Sequence, residues 1–384
     1  MESQMIEWRR HFHQYPELSF QEEKTPAMIA DILRGLSLDE VREKVGGRGV
    51  VGVLRGRTEG ATVALRADFD ALPIQDLKDV PYKSKVPGVM HACGHDAHTS
   101  TLLGLASVLA RHRESIPGTI VFLFQHAEEV LPGGAIQMVE DGALDGVDAI
   151  FGTHLWAGTP YGEVWVGPGP MMANADDFVI EVQGKGGHGA IPQQTVDSIV
   201  IGSQIVMNLQ TIASRNISPL ESVVVTIGTF TAGDNFNVIA DTCRMTGTAR
   251  SFSADVQDRT EQRIKEIVEG TAKLMGGSAT VKYTRGYPAV INTEAEAEIV
   301  RLAAIEACGE AAVKRVEPTM GGEDFSYYLQ KVSGSFLFVG AGNPEKGAAY
   351  PHHHPRFDID ERSMAISAEV LGRSALSYLI ANQK

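Results

Sequence analysis

The chain has 384 residues, 43% of them hydrophobic and 21% charged, with a formal net charge of -14 at pH 7. That length exceeds the size at which one hydrophobic core usually keeps growing, so two domains are expected, and the composition excludes a disordered polymer. The acidic balance excludes a nucleic-acid binder, which needs a basic footprint.

Cys93, Cys243 and Cys308 are scattered rather than arranged as a disulfide framework, which fits a reducing compartment. Residues 1–10 hold no apolar core of signal-peptide type, and no later run reaches the roughly 18 to 20 apolar residues of a membrane span. The expected location is therefore cytoplasmic, with no membrane partner.

Thr25-Pro26, apolar residues at 28, 29, 32 and 33, and Gly35 predict a helix with a threonine N-cap and a first-turn proline. Apolar runs at 50–54, 62–67, 119–124 and 148–153 predict buried strands, with a helix over about 99–113 between the second and third. Asp68 and Asp70 follow the second run, Glu128 and Glu129 the third, and His154 the fourth. In open α/β sheets, ligands bind beyond the carboxyl ends of the strands. Strand ends are also where any chain turns polar, but these are metal-ligating residue types at three such ends, and they predict one crevice.

From about residue 176 the pattern changes to strand 178–182, helix 196–215, strands 223–230 and 243–250, helix 254–275 and strand 279–283, the order of a ferredoxin-like unit. After Pro288 come a helix at 294–307, a strand at 336–339 and a helix at 361–382. The fold class is thus α/β: a discontinuous first domain at 1–174 and 288–384, and an inserted ferredoxin-like α+β second domain at 175–287.

The segment His91-Ala92-Cys93-Gly94-His95-Asp96-Ala97-His98 packs three imidazoles, a thiol and a carboxylate into eight residues, the ordinary ligands of zinc-like metals. An alternating spacing lets Cys93 and His95 face the same side of an extended segment, with Gly94 removing a steric obstacle. His91, Asp96 and His98 are better read as support or helix caps. Glu128-Glu129 offers one carboxylate to a metal and another to a water proton, the division that metal-assisted hydrolysis needs. His154 is either a ligand or a core histidine. In an extended backbone His353 faces away from His352 and His354, so the three are not equivalent. In the glycine-rich stretch 184–190, His188 is placed to donate to a developing oxyanion; no Walker lysine-threonine pair accompanies it, which excludes phosphate binding. Residues 233–239 and Arg250 offer an amide and a guanidinium for a substrate carboxylate.

Taken together, residues 66–73, the 91–98 cluster, Ala127-Glu128-Glu129, Gly186-Gly187-His188, Asn237-Val238-Ile239, residues 322–325 and His353-His354-Pro355 resemble, in order, the metal-dependent amidohydrolases that include hippurate hydrolases, bacterial N-acyl-amino-acid deacetylases and auxin-conjugate hydrolases. The resemblance implies two divalent ions per subunit, manganese or zinc with cobalt or nickel as further candidates, held by Cys93, His95, Glu129, His154 and His353. In the family the last ligand sits two residues before the proline, which selects His353. Glu128 would be the general base and acid; His188 would reach into the partner subunit's site, as it commonly does in the family, with Asn237 and Arg250 near the substrate carboxylate. The first domain would be a catalytic domain with a central mixed sheet, and the second a lid that also forms a homodimer or higher homo-oligomer. His126 stands where relatives often have proline. The implied activity is hydrolysis of the amide of a small-molecule N-acyl-L-amino acid. A carboxypeptidase or dipeptidase on the same site is the alternative, and a non-catalytic metal or amino-acid binder, which has no need of Glu128, is more remote.

Overall fold

The computed structural model describes residues 1–383, and the chain divides into two compact units. The first comprises Met1–Met171, Ile291–Glu317 and Asp324–Lys384; the second, Met172–Val290 and Pro318–Glu323.

In the first unit an eight-stranded sheet runs from edge to edge as Glu40–Val45, Gly49–Arg55, Pro117–Gln125, Thr58–Asp68, Ala149–Pro160, Ser333–Gly342, Val164–Val166 and Val313–Arg315. The four strands from Pro117–Gln125 to Ser333–Gly342 are mutually parallel, and Gly49–Arg55 and Val164–Val166 flank them antiparallel, so the sheet is mixed. The central strands carry unbroken apolar runs because both their faces are buried. Leu65, Phe122, Phe124, Phe151 and Leu337 are completely inaccessible, each burial contributing roughly 1.5–3 kcal/mol. The register pairs Asp68 with Gln125 and Arg66 with Gly152, which sets the carboxyl ends of three parallel strands beside one another.

Several predicted boundaries move. The helix expected from residue 99 is His95–Arg111, and it starts directly after Gly94, whose φ of +104° is left-handed. Glycine alone adopts that angle without strain. His95, Asp96 and His98 therefore occupy a buried first helical turn rather than an extended segment. The strand expected to stop before His154 continues as Ala149–Pro160, so His154 lies within it.

The helix Lys24–Gly35 also starts a residue before Thr25, which therefore is not its cap. The side chain of Glu17 does that work, accepting from the N–H groups of Glu23, Lys24 and Thr25 at 2.8–3.1 Å. A carboxylate suits the positive end of the helix dipole.

Among the described residues one helix, Ser363–Ala381, is long and apolar enough to cross a membrane. It packs instead on His95–Arg111, Glu294–Cys308 and the sheet, as a core helix of this unit.

The second unit has a four-stranded antiparallel sheet in the order Val223–Ala232, Thr242–Ser251, Asp176–Gln183, Ser278–Thr284. Helices Ser198–Leu209 and Ala254–Leu274 pack on it, giving the ferredoxin-like sequence of elements. Asp197 and Ser253 cap the two helices. The helix expected over 196–215 is interrupted: it ends at Leu209, and a π-helical turn follows at Ile212–Asn216.

Candidate metal centre

The parallel strand ends bring the ligand-type residues of the first unit together. Cys93, Glu129 and His353 offer ligand atoms that all lie within 4.8 Å of one another; so do His95, Glu128 and Glu129, and so do Cys93, His154 and His352. Segments far apart in sequence thus supply one cluster.

Hydrogen bonds at the far side of each ring decide which histidines have a lone pair to give. His95 Nδ1 is 3.0 Å from the Asp70 carbonyl oxygen and 3.2 Å from Asp70 Oδ1, so it donates there. Its Nε2 is buried and lacks a hydrogen-bond partner. Asp68 Oδ2, Glu129 Oε1 and Glu128 Oε2 surround that nitrogen at 3.8, 3.9 and 4.0 Å. His154 donates through Nδ1 to the Leu155 carbonyl at 3.0 Å, leaving Nε2 at 3.4 Å from Cys93 Sγ. A ring whose outer N–H is anchored on a carbonyl or carboxylate is the usual state of a metal-binding histidine.

His98 has no such freedom. Its Nδ1 is engaged by Asp68 Oδ1 at 2.7 Å, and its Nε2 accepts the Leu155 N–H at 2.9 Å. It ties the strand end to the helix.

The three consecutive histidines do not alternate as extended backbone would have them. His353 has a left-handed φ of +63°, and its N–H reaches the Ala92 carbonyl at 2.8 Å. The resulting turn lets two neighbours approach the cluster. His353 Nε2 lies 3.3 Å from Glu129 Oε1, and His352 Nδ1 lies 3.8 Å from Cys93 Sγ. His352 Nε2 accepts from the Ala157 N–H at 3.0 Å, so the proton of the neutral ring sits on Nδ1, facing the sulfur. His354 is occupied elsewhere, stacked on Tyr350 with Nδ1 accepting from the Arg356 N–H.

The electrostatics fit a cation. Burial, reinforced by Glu129, Glu128 and Asp68, pushes the Cys93 thiol well above its ordinary range. Burial pulls His95 down, but Asp68 and Asp70 outweigh it and lift the ring to about 10. A pocket that resists thiolate and favours imidazolium has an excess of negative charge. With a bare imidazole nitrogen, a thiol and adjacent carboxylates at its centre, this donor set suits divalent ions of borderline softness.

Behind the cluster, Asp96 accepts from Arg9 Nε at 2.9 Å and from His13 Nδ1 at 2.7 Å. Arg9 reaches on to Asp358 at 2.7 Å. His91 is buried near His13, and His126 contacts Gln137 and Phe20. Sequence reasoning missed Arg9, His13, His352 and the anchoring part of Asp70. Arg9 and His13 are buried in helix Glu2–Gln14, and nothing in the sequence marks that burial.

The second unit holds the remaining predicted residues. His188 and Val238 are paired across two short strands, and the Gly189 N–H donates to the Asn237 carbonyl at 2.8 Å, so the His188 and Asn237 segments lie side by side. His188 Nδ1 accepts from the Ala190 N–H at 3.0 Å, which puts the proton of the neutral ring on Nε2. Arg250 stands opposite Val224 on the sheet, and burial lowers its pKa against the pull of Asp176 and Asp177.

The sequence pattern of peptidase family M20/M25/M40 matches residues 64–377. The N-acetyl-L-cysteine deacetylase of Bacillus subtilis (strain 168) is 41% identical over 384 residues, 100% of this chain and 90% of that protein. Thermostable carboxypeptidase 1 of Saccharolobus solfataricus is 40% identical over 387 residues, covering 100% and 97%. Among solved structures, the Bacillus subtilis YxeP protein, described as a dinuclear metal-binding peptidase from the M20 family, superposes with a TM-score of 0.85 at 34% identity over 99% of this chain and 98% of that one.

Proposed function

Because the chain belongs to peptidase family M20/M25/M40, we propose that it is a metal-dependent amidohydrolase that cleaves N-acyl-L-amino acids to a carboxylate and a free amino acid. The observation that carries this reading is the bare His95 Nε2, ringed by Asp68, Glu128 and Glu129 within 4.0 Å.

Cys93, His95, Glu129, His154 and His353 would hold two divalent ions, manganese or zinc, with cobalt and nickel as further candidates. Such ions supply Lewis acidity, polarising an acyl carbonyl and lowering the pKa of water. The chain's own residues do the rest. Glu128, beside the ligands without being one of them, takes the proton of the attacking water and returns it to the departing nitrogen. His188 Nε2–H is the donor for the oxyanion, its tautomer set by Ala190. The Asn237 amide and the Arg250 guanidinium receive the substrate carboxylate.

The likeness to a deacetylase supports the acyl-amino-acid reading, and the likeness to a carboxypeptidase keeps a second one. A peptide bond and an acyl-amino-acid bond are both amides beside a free carboxylate, so one site serves either. A panel of N-acetyl amino acids, hippurate and dipeptides on metal-loaded protein separates them. The setting we infer is the cytoplasm, which suits three free thiols, and the assembly a homodimer or higher homo-oligomer through the second unit. Light scattering of the purified protein tests the assembly.

A further inference from the structure

One buried carboxyl has no part in the chemistry above. Glu22 is 1% exposed and lies in the loop between helices Glu2–Gln14 and Lys24–Gly35. Its Oε1 accepts the Ala127 N–H at 2.9 Å, across 105 residues of sequence. Arg48 secures the loop by donating to the Glu22 carbonyl at 2.5 Å, with Arg48 Nε 3.9 Å from Glu22 Oε2.

Ala127 is buried and has a φ of +51°, a left-handed angle that residues with a Cβ rarely adopt. Such a conformation persists only where its surroundings over-determine it. Here both polar groups of the residue are held: the N–H by Glu22, and the carbonyl by the Gly134 N–H at 3.0 Å. Two residues on, the Glu129 N–H donates to Asp70 Oδ2 at 3.0 Å, and Ser19 Oγ donates to that same oxygen at 2.6 Å. Ser19 and Glu22 belong to one loop. The loop holds the turn carrying Glu128 and Glu129 directly at Ala127 and, through Asp70, at Glu129.

We propose that Glu22 is a positioning residue for the hydrolytic site: by accepting the Ala127 N–H it holds the left-handed turn that aims Glu128 at the reacting groups and Glu129 at the metal. Without that acceptor a buried N–H is left unpaired, and the turn gains by relaxing toward an ordinary φ. Relaxation swings the Cα–Cβ directions of the next two residues. The inference rests on the metal-hydrolase reading of the same site.

The test compares wild type, Glu22→Gln and Glu22→Leu. Glutamine retains an oxygen that accepts the same N–H; leucine fills the space without one. Glu22→Leu is expected to lower kcat and, separately, manganese or zinc affinity of the metal-free protein by about 10–100-fold each, as losses of residues that orient metal ligands do. KM should stay within about threefold of wild type, because the ground-state substrate contacts are untouched. Glu22→Gln should recover kcat and metal affinity to within about fivefold. A Glu22→Leu protein that melts earlier yet keeps wild-type kcat and metal affinity would overturn the proposal. Should the leucine variant not fold, Glu22→Gln decides: a loss of metal affinity of about tenfold or more there overturns it as well. A wild-type protein inactive on every N-acyl amino acid refutes the substrate reading instead, and calorimetric metal titration still tests Glu22.

Discussion

His154 Nε2 faces Cys93 Sγ at 3.4 Å while its other ring nitrogen is anchored on the Leu155 carbonyl. Two ligand-type atoms from a strand and a loop therefore meet with the imidazole lone pair directed at the sulfur. In the metal-free protein burial and the neighbouring carboxylates keep that sulfur protonated.

Metal loading at neutral pH should consequently release protons, because a coordinating thiol must ionise. Calorimetric titrations in buffers of different ionisation enthalpy measure that release. Cobalt loading should add a sulfur-to-metal charge-transfer band in the near ultraviolet, absent in Cys93→Ser. A band that survives the substitution would remove Cys93 from the ligand set.

Glu128 is expected to move protons without holding the ion in place. Glu128→Gln should retain metal, measured by elemental analysis, and lose turnover by roughly 10²–10⁴-fold, the range for a general acid-base group. Loss of metal along with activity would reassign Glu128 as a ligand.

Asp70 ties two predicted ligands together, receiving the His95 ring N–H and the Glu129 backbone N–H. Asp70→Ala should weaken metal binding by about 10–100-fold, as losses of ligand-orienting partners do. Competition with a chelator measures this, and unchanged affinity would contradict the anchoring role.

Glu22 also predicts a pH dependence of stability. Burial, and then the negative charge of Asp70, raises its pKa from 4.5 to about 8 in the folded chain. Between those values the folded state binds a proton that the unfolded state does not, so stability falls as pH rises through this window. Glu22→Gln has no such proton to lose. Melting curves of the metal-free proteins should show the variant gaining on wild type between about pH 5 and pH 8, within that window. A constant difference would show that Glu22 does not titrate there.

The central strands were legible because burial on both faces leaves unbroken apolar runs, as at Ile120–Phe124 within Pro117–Gln125. The edge strand Glu40–Val45 was not, since it is largely polar, and Val164–Val166 and Val313–Arg315 are too short to set a period. Helix Glu2–Gln14 escaped notice for a related reason: two of its buried positions are Arg9 and His13, which carry no hydrophobic signal. Within the site, residue types and strand ends pointed to the crevice and the spacing favoured His95 over His98, but spacing gave no physical ground for separating the two rings. That distinction comes from Asp70 behind one ring, and from Asp68 and Leu155 on both sides of the other. Those partners lie in other segments, so local spacing is silent about them. His352 was hidden similarly, because the left-handed turn at His353 breaks the alternation that spacing assumes.

The most direct test of the central claim is hydrolysis of a panel of N-acetyl amino acids, hippurate and dipeptides by the purified chain, stripped of metal and then reloaded with manganese or zinc. The account predicts release of free amino acid from at least one N-acyl substrate, abolished by stripping and restored by reloading. Hydrolysis of dipeptides alone would move the protein to the carboxypeptidase reading. No metal-dependent cleavage of any amide by protein carrying both ions would contradict the account.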